Sequence, residues 1–178
     1  MTDISQKICL VGDFGVGKTS LIRRFVDRQF SDRYLSTVGV KISRRQVEVA
    51  EHPNNPLPGR NIQLLIWDLE GRSKFKGVAP SYLQGAKGVI IVSDLTRPET
   101  VRGVGDHIDL FHSVNAQGAV ALALNKADLV TDPAREAKSL LDPQQYRRAF
   151  ATYLTSAKSG IHVDEIFEAI ALKLLTQA

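Results

Sequence analysis

Gly12-Asp13-Phe14-Gly15-Val16-Gly17-Lys18-Thr19-Ser20 directly follows the apolar run Ile8-Cys9-Leu10-Val11, and that junction decides the fold. The spacing is G-x-x-x-x-G-K-[ST], lying between a run that reads as a strand (7–11) and an amphipathic stretch that reads as a helix (18–28). Glycines at 12, 15 and 17 let the backbone curl until successive N–H groups point inward, forming an anion nest closed by the positive end of the helix. Lys18 is then placed to reach the β- and γ-phosphates of a nucleotide, and the Thr19 hydroxyl to ligate a Mg²⁺ shared with them. Gly12, Gly15, Val16, Gly17, Lys18, Thr19 and Ser20 are the candidate phosphate-binding residues.

Outward from this loop, short apolar runs alternate with amphipathic stretches. That pattern predicts an α/β fold, a mostly parallel sheet with helices on both faces. Strands are expected at 62–67, 88–93 and 119–124 besides 7–11. Gly88-Val89-Ile90-Ile91-Val92 and Ala119-Val120-Ala121-Leu122-Ala123-Leu124 are continuously apolar, as strands buried on both faces are. Residues 38–49 alternate, with Val38, Val40 and Ile42 on one side and Lys41, Ser43 and Arg45 on the other, which predicts an edge strand partly open to water. Three prolines within 52–61 require a loop. Further helices are expected at 98–114, 143–152 and 162–176, with Gly103 and Gly105 weakening the first of these.

Two other segments fall at carboxyl ends of strands, where open α/β sheets bind ligands. Leu64-Leu65-Ile66-Trp67-Asp68 delivers Asp68 to face Thr19 across a metal. Asn125-Lys126-Ala127-Asp128 ends the strand 119–124, and the Asp128 carboxylate can accept two parallel N–H bonds from guanine N1 and its 2-amino group, donors that adenine lacks. Asn125 would brace the loops and the Lys126 stem cover the base. Thr155-Ser156-Ala157-Lys158 offers the Ala157 N–H to a guanine oxygen.

With these motifs in this order, the whole chain resembles a Ras-superfamily small GTPase, closest to the Rab branch. The resemblance implies a single G domain spanning 1–178, of the P-loop NTPase α/β fold with a mostly parallel six-stranded sheet and helices on both faces, that binds GTP or GDP with Mg²⁺, switches between two states, and hydrolyses GTP. It implies that Thr37, in Ser36-Thr37-Val38-Gly39-Val40, ligates Mg²⁺ beside Thr19 and Asp68 and senses the γ-phosphate. It implies that the Gly71 N–H does the same, that Phe30 packs against the base, and that Ser156, Ala157 and Lys158 complete the base site. Segments 29–39 and 69–83 would order with GTP and relax with GDP, meeting effector, exchange and activating proteins. The catalytic set so implied is Lys18, Thr37 and Gly71, with Glu70 and Arg72.

The last two depart from the family. Asp68-Leu69-Glu70-Gly71-Arg72 has arginine where the family places a water-positioning glutamine, and arginine has donors but no acceptor for an attacking water. Arg72 can still stabilise transferring phosphate charge, and Glu70 can repel phosphate, ligate the metal through water, or act as a substitute base. Phe14 is bulky where Ras proteins carry a small residue and Rabs a serine, so it would crowd an arginine inserted by an activating partner. These departures predict intact nucleotide binding with slow, glutamine-independent hydrolysis, or a GTP-held effector-binding module that hardly turns over.

Composition fits this reading. With 178 residues, 43% hydrophobic and 24% charged, and a net charge of +4, the chain suits one ordinary globular domain and argues against a dedicated nucleic-acid binder. The single cysteine, Cys9, is expected to be buried, in a reducing compartment. Nothing reads as a secretory signal, a membrane span or a lipidation site, so a cytoplasmic protein reaching membranes only through a partner is expected. His52, His107, His112 and His162 have no zinc spacing and are expected to be solvated. Trp67, Phe25, Val26, Phe150 and Phe167 are expected in the core. An ATP-dependent P-loop enzyme would share the phosphate loop but needs no guanine acid.

Overall fold

The computed structural model describes residues 4–33, 36–49, 61–69 and 80–177. Six strands, β1 (Ile4–Val11), β2 (Val40–Glu48), β3 (Asn61–Leu69), β4 (Gly88–Asp94), β5 (Ala119–Asn125) and β6 (Ala151–Leu154), form one sheet in the order β2-β3-β1-β4-β5-β6. Only β2 runs antiparallel to its neighbour.

The period of two along each strand splits the core into two layers. Ile8 and Leu10 of β1, Ile62, Leu64 and Ile66 of β3, Ile90 and Val92 of β4, and Ala121 and Ala123 of β5 pack against α1 (Lys18–Asp27) and α7 (Val163–Thr176). Phe25 of α1 stacks on Phe167 of α7 with ring centroids 4.1 Å apart. Such pairs contribute about 0.5–1.5 kcal/mol beyond their buried area. Cys9, Val11, Val89, Ile91, Val120 and Leu122 point the other way, onto α2 (Pro80–Leu83) and α4 (Val104–Val114). The same alternation carries Asp68, Asp94 and Asn125, the polar ends of β3, β4 and β5, to the α1 face beside the phosphate loop.

Several expectations are corrected. The helix expected over 98–114 is two, α3 (Pro98–Arg102) and α4, divided at Gly103. Gly105 lies within α4, where a Cβ would meet the end of the Gln145 side chain. The helix expected over 143–152 stops at α6 (Pro143–Arg148), and Ala151–Leu154 becomes β6, paired with β5. Backbone pairing along a neighbouring strand outweighs a local pattern too short to separate helix from strand. An additional helix, α5 (Pro133–Leu140), starts where the Asp132 side chain caps the Arg135 N–H.

β2 is the expected edge strand, partly open to water: Ile42 is 48% exposed, and Val38 just before the strand 84%, whereas Val40 is partly buried against the α2–α4 layer. Arg45 turns instead toward the layer beneath, donating to the Phe25 and Val26 carbonyls at 3.2 and 3.1 Å and so satisfying orphan carbonyls of α1. Phe150 is 38% exposed rather than core, and Val26 and Trp67 are only partly buried. Of the proline loop, residues 52–60 lie outside the described residues.

Candidate functional site

A cleft of about 380 Å³ opens at the carboxyl ends of the strands, between the loop 12–17 and the segments after β5 and β6. That volume is in the range of small-molecule sites.

At one end the chain leaves β1 and curls back before α1. Gly17 has φ 106° and a Cβ on it would lie 2.3 Å from the Asn125 amide nitrogen; Gly12, at φ 151°, would drive a Cβ into the Val92 carbonyl. Lys18, only 6% exposed, lies across the loop and donates to the Gly12 and Asp13 carbonyls at 2.8 and 2.9 Å. Burial pushes its pKa down to about 8. An anion in the loop would relieve that cost by favouring the charged ammonium.

Beside Lys18 three oxygen-bearing side chains converge. Thr19 Oγ1 donates to Asp68 Oδ2 at 2.6 Å and lies 2.7 Å from Thr37 Oγ1, which is 3.4 Å from the same carboxylate oxygen. Asp68 is 1% exposed, its other oxygen has no hydrogen-bond partner among the described residues, and burial raises its pKa against the opposing bond from Thr19. Two hydroxyls and a buried carboxylate with an orphan oxygen are the donor set of a hard divalent cation, so these residues fit Mg²⁺.

At the other end, Asn125 links three segments. Its amide donates to the Val16 carbonyl at 2.9 Å, and its Oδ1 accepts from Thr155 Oγ1 at 3.2 Å and from the Ala157 N–H at 3.3 Å. Lys126, in the left-handed backbone region at φ 61°, donates to the Gly15 carbonyl at 2.9 Å. Asp128 accepts from Ser156 Oγ at 2.7 Å, which fixes one carboxylate oxygen. Phe14, Ser20, Phe30, Leu129 and Lys158 also line the cleft.

The expected loop, cation and base residues are thus brought to one rim, except Glu70, Gly71 and Arg72, which lie outside the described residues, as do 34–35 of the first expected switch segment and 70–79 of the second. Sequence reading missed Asp94, whose fully buried carboxylate stands 2.6 Å from Lys126 Nζ. Its place at the end of β4, in register with Asn125, is the signal that could have found it. His107 and His112 are not simply solvated: His107 lies 3.3 Å from Asp13 Oδ1, and His112 lies 3.2 Å from the Gly118 carbonyl oxygen.

Among the described residues no helix is long and apolar enough to cross a membrane. The sequence profile of the Ras family matches residues 7–176. Curated relatives include Ras-related protein Rab-13 of Rattus norvegicus, 34% identical over 175 residues, 95% of this chain and 79% of the relative. Rab-13 of Mesocricetus auratus is 32% identical over 173 residues, 97% of this chain and 81% of the relative. Rab-13 of Canis lupus familiaris is 33% identical over 178 residues, with the same two coverages. Matched over nearly its whole length, the chain belongs to the Ras family, as a Rab-like small GTPase that binds GTP or GDP with Mg²⁺ as a molecular switch and hydrolyses GTP.

Proposed function

We propose that the cleft holds the guanine nucleotide with its phosphates on Gly12–Ser20, its metal on Thr19, Thr37 and Asp68, and its base against Phe30, Asn125, Lys126, Asp128 and Ser156–Lys158. The observation that carries this assignment is the convergence of Thr19, Thr37 and Asp68 oxygens within 3.4 Å of one another, next to the buried Lys18 ammonium laid across the loop.

Phosphoryl transfer needs positioning and charge stabilisation more than covalent chemistry. Lys18 stabilises charge on the β- and γ-phosphate oxygens, and loop N–H groups hold them in line. Mg²⁺, when bound, neutralises phosphate charge. Thr37 and the Gly71 N–H sense the γ-phosphate. Because Arg72 cannot accept a hydrogen bond from water, hydrolysis is slow: Arg72 contributes cationic stabilisation and Glu70 takes the proton from water. Phe14, 45% exposed at the mouth of the cleft, supports the second reading, a GTP-held module with negligible turnover, since its ring stands where an activating arginine would enter.

Single-turnover GTP cleavage separates these readings. Slow cleavage that falls further in Arg72→Ala and Glu70→Ala supports the substitute machinery. A rate too small to measure in all three supports the held module. Cleavage at the ordinary rate of the family, unchanged in both variants, overturns both.

Ras-family GTPases act with effector, exchange and activating proteins. In this chain those contacts are assigned to 29–39 and 69–83, which carry the exposed Val38 and Tyr82, with the exposed Ile42 just beyond the first. A cytoplasmic protein, recruited to membranes through a partner and without nucleic-acid partners, is the corresponding reading of its location.

A further inference from the structure

The ties that hold the phosphate loop come from two directions. Its inner part, Gly15 and Val16, is fastened by Lys126 and Asn125 of the base site. Its outer turn, Asp13 and Phe14, is fastened from the α3–α4 side. Arg97, at the start of α3, donates from Nη1 to the Phe14 carbonyl at 2.7 Å, and His107 of α4 places Nε2 3.3 Å from Asp13 Oδ1. The His107 side chain is 14% exposed and that of Asp13 36%. A carboxylate can only accept, so Nε2 carries the proton.

Asp13 is an acid set inside an anion cradle. Unless it is engaged elsewhere, its carboxylate repels phosphate and competes for the Lys18 ammonium. The cations acting on it are His107, Arg97 and Lys18, and the hydrogen bond from His107 is the largest cause holding its carboxyl below the usual range. Of the nearest acids on the helix of His107, Asp109 is itself paired with Arg148 of α6.

We infer that His107 is a positioning residue that keeps the Asp13 carboxylate turned away from the bound phosphates, and that with Arg97 it latches the outer turn of the loop and sets how long the nucleotide stays. The inference rests on the phosphate assignment above.

The test is release of fluorescent GDP from the Mg²⁺-loaded protein, chased with excess unlabelled GDP. His107→Leu should speed release about fivefold to tenfold, the scale of losing one hydrogen bond at a part-exposed site. His107→Gln, which keeps a donor near Nε2, should restore slow release. Adding Asp13→Asn to His107→Leu should do so as well, because the uncompensated charge is gone. A merely structural role for His107 would lower the melting temperature without rescue by a change at Asp13. Release at the wild-type rate in His107→Leu, or equally fast release in His107→Leu with and without Asp13→Asn, overturns the latch while leaving the phosphate site intact. Wild-type protein that retains no GDP overturns both.

Discussion

In the proposed assignment the groups that hold the phosphates directly come mainly from one unbroken segment, Gly12–Ser20, and most are backbone amides. Those proposed for the base come, Phe30 apart, from two segments about 30 residues apart, joined by the Asn125–Thr155 hydrogen bond and presented mainly as side chains. The difference is physical. Phosphate is recognised by charge and by many equivalent donors, which a curled loop and a helix N-terminus provide locally. A base is recognised by a directional donor pattern, which needs a carboxylate held rigid by neighbours from another strand. One end is set by local sequence and the other by tertiary pairing of β5 with β6.

Removing the central charge at the phosphate end should have the largest effect. Lys18→Ala should weaken GTP by about a thousandfold in a calorimetric titration, since a buried ammonium facing the β- and γ-phosphates makes several charge-assisted bonds, and GDP, which lacks the γ-phosphate, by less. The base end should break selectively. Asp128→Asn should weaken GTP by at least about a hundredfold, with no change at the phosphate end, because an amide presents one acceptor and one donor where guanine needs two acceptors. Equal losses for GTP and for a base-free triphosphate would refute the division.

Asn125→Ala tests the joint between the two ends. Its amide serves the Val16 carbonyl, Thr155 and Ala157. The variant should therefore lose about 1–3 kcal/mol of stability in denaturant unfolding and about tenfold in affinity for any guanine nucleotide. A change in affinity without loss of stability would show that the two ends are independent. The smallest effect is expected away from the cleft. Burial pushes the Cys9 thiol up to about 12, leaving a thiolate fraction on the order of 10⁻⁴ at pH 8. A thiol reagent should then label Cys9 only at the rate of global unfolding, unchanged in Asp128→Asn. Faster labelling in that variant would mean that the base-end change disturbs the core.

This asymmetry also governs what could be read from the sequence. The phosphate loop, its strand and its helix were legible because their chemistry is contiguous. Asp68 and Asn125 were legible because each ends an apolar strand, and the parallel sheet brings strand ends to one rim. β6 was not, because Ala151–Leu154 is only four residues long and continues the pattern of α6, so only pairing with β5 identifies it. The edge position of β2 was legible because its residues alternate instead of running continuously apolar, and Ile42 is indeed half-exposed. His107 was invisible because its partner, Asp13, lies 94 residues earlier and no periodicity links them.

The most direct measurement is calorimetric titration of the wild-type protein, in excess Mg²⁺, with GTP, GDP and ATP. GTP and GDP should bind tightly and ATP at least about a thousandfold more weakly, the discrimination expected when buried groups built for a base are left unpaired. Binding of ATP as tight as that of GTP, or no heat with any of the three, would contradict a guanine nucleotide seated between Lys18 and Asp128.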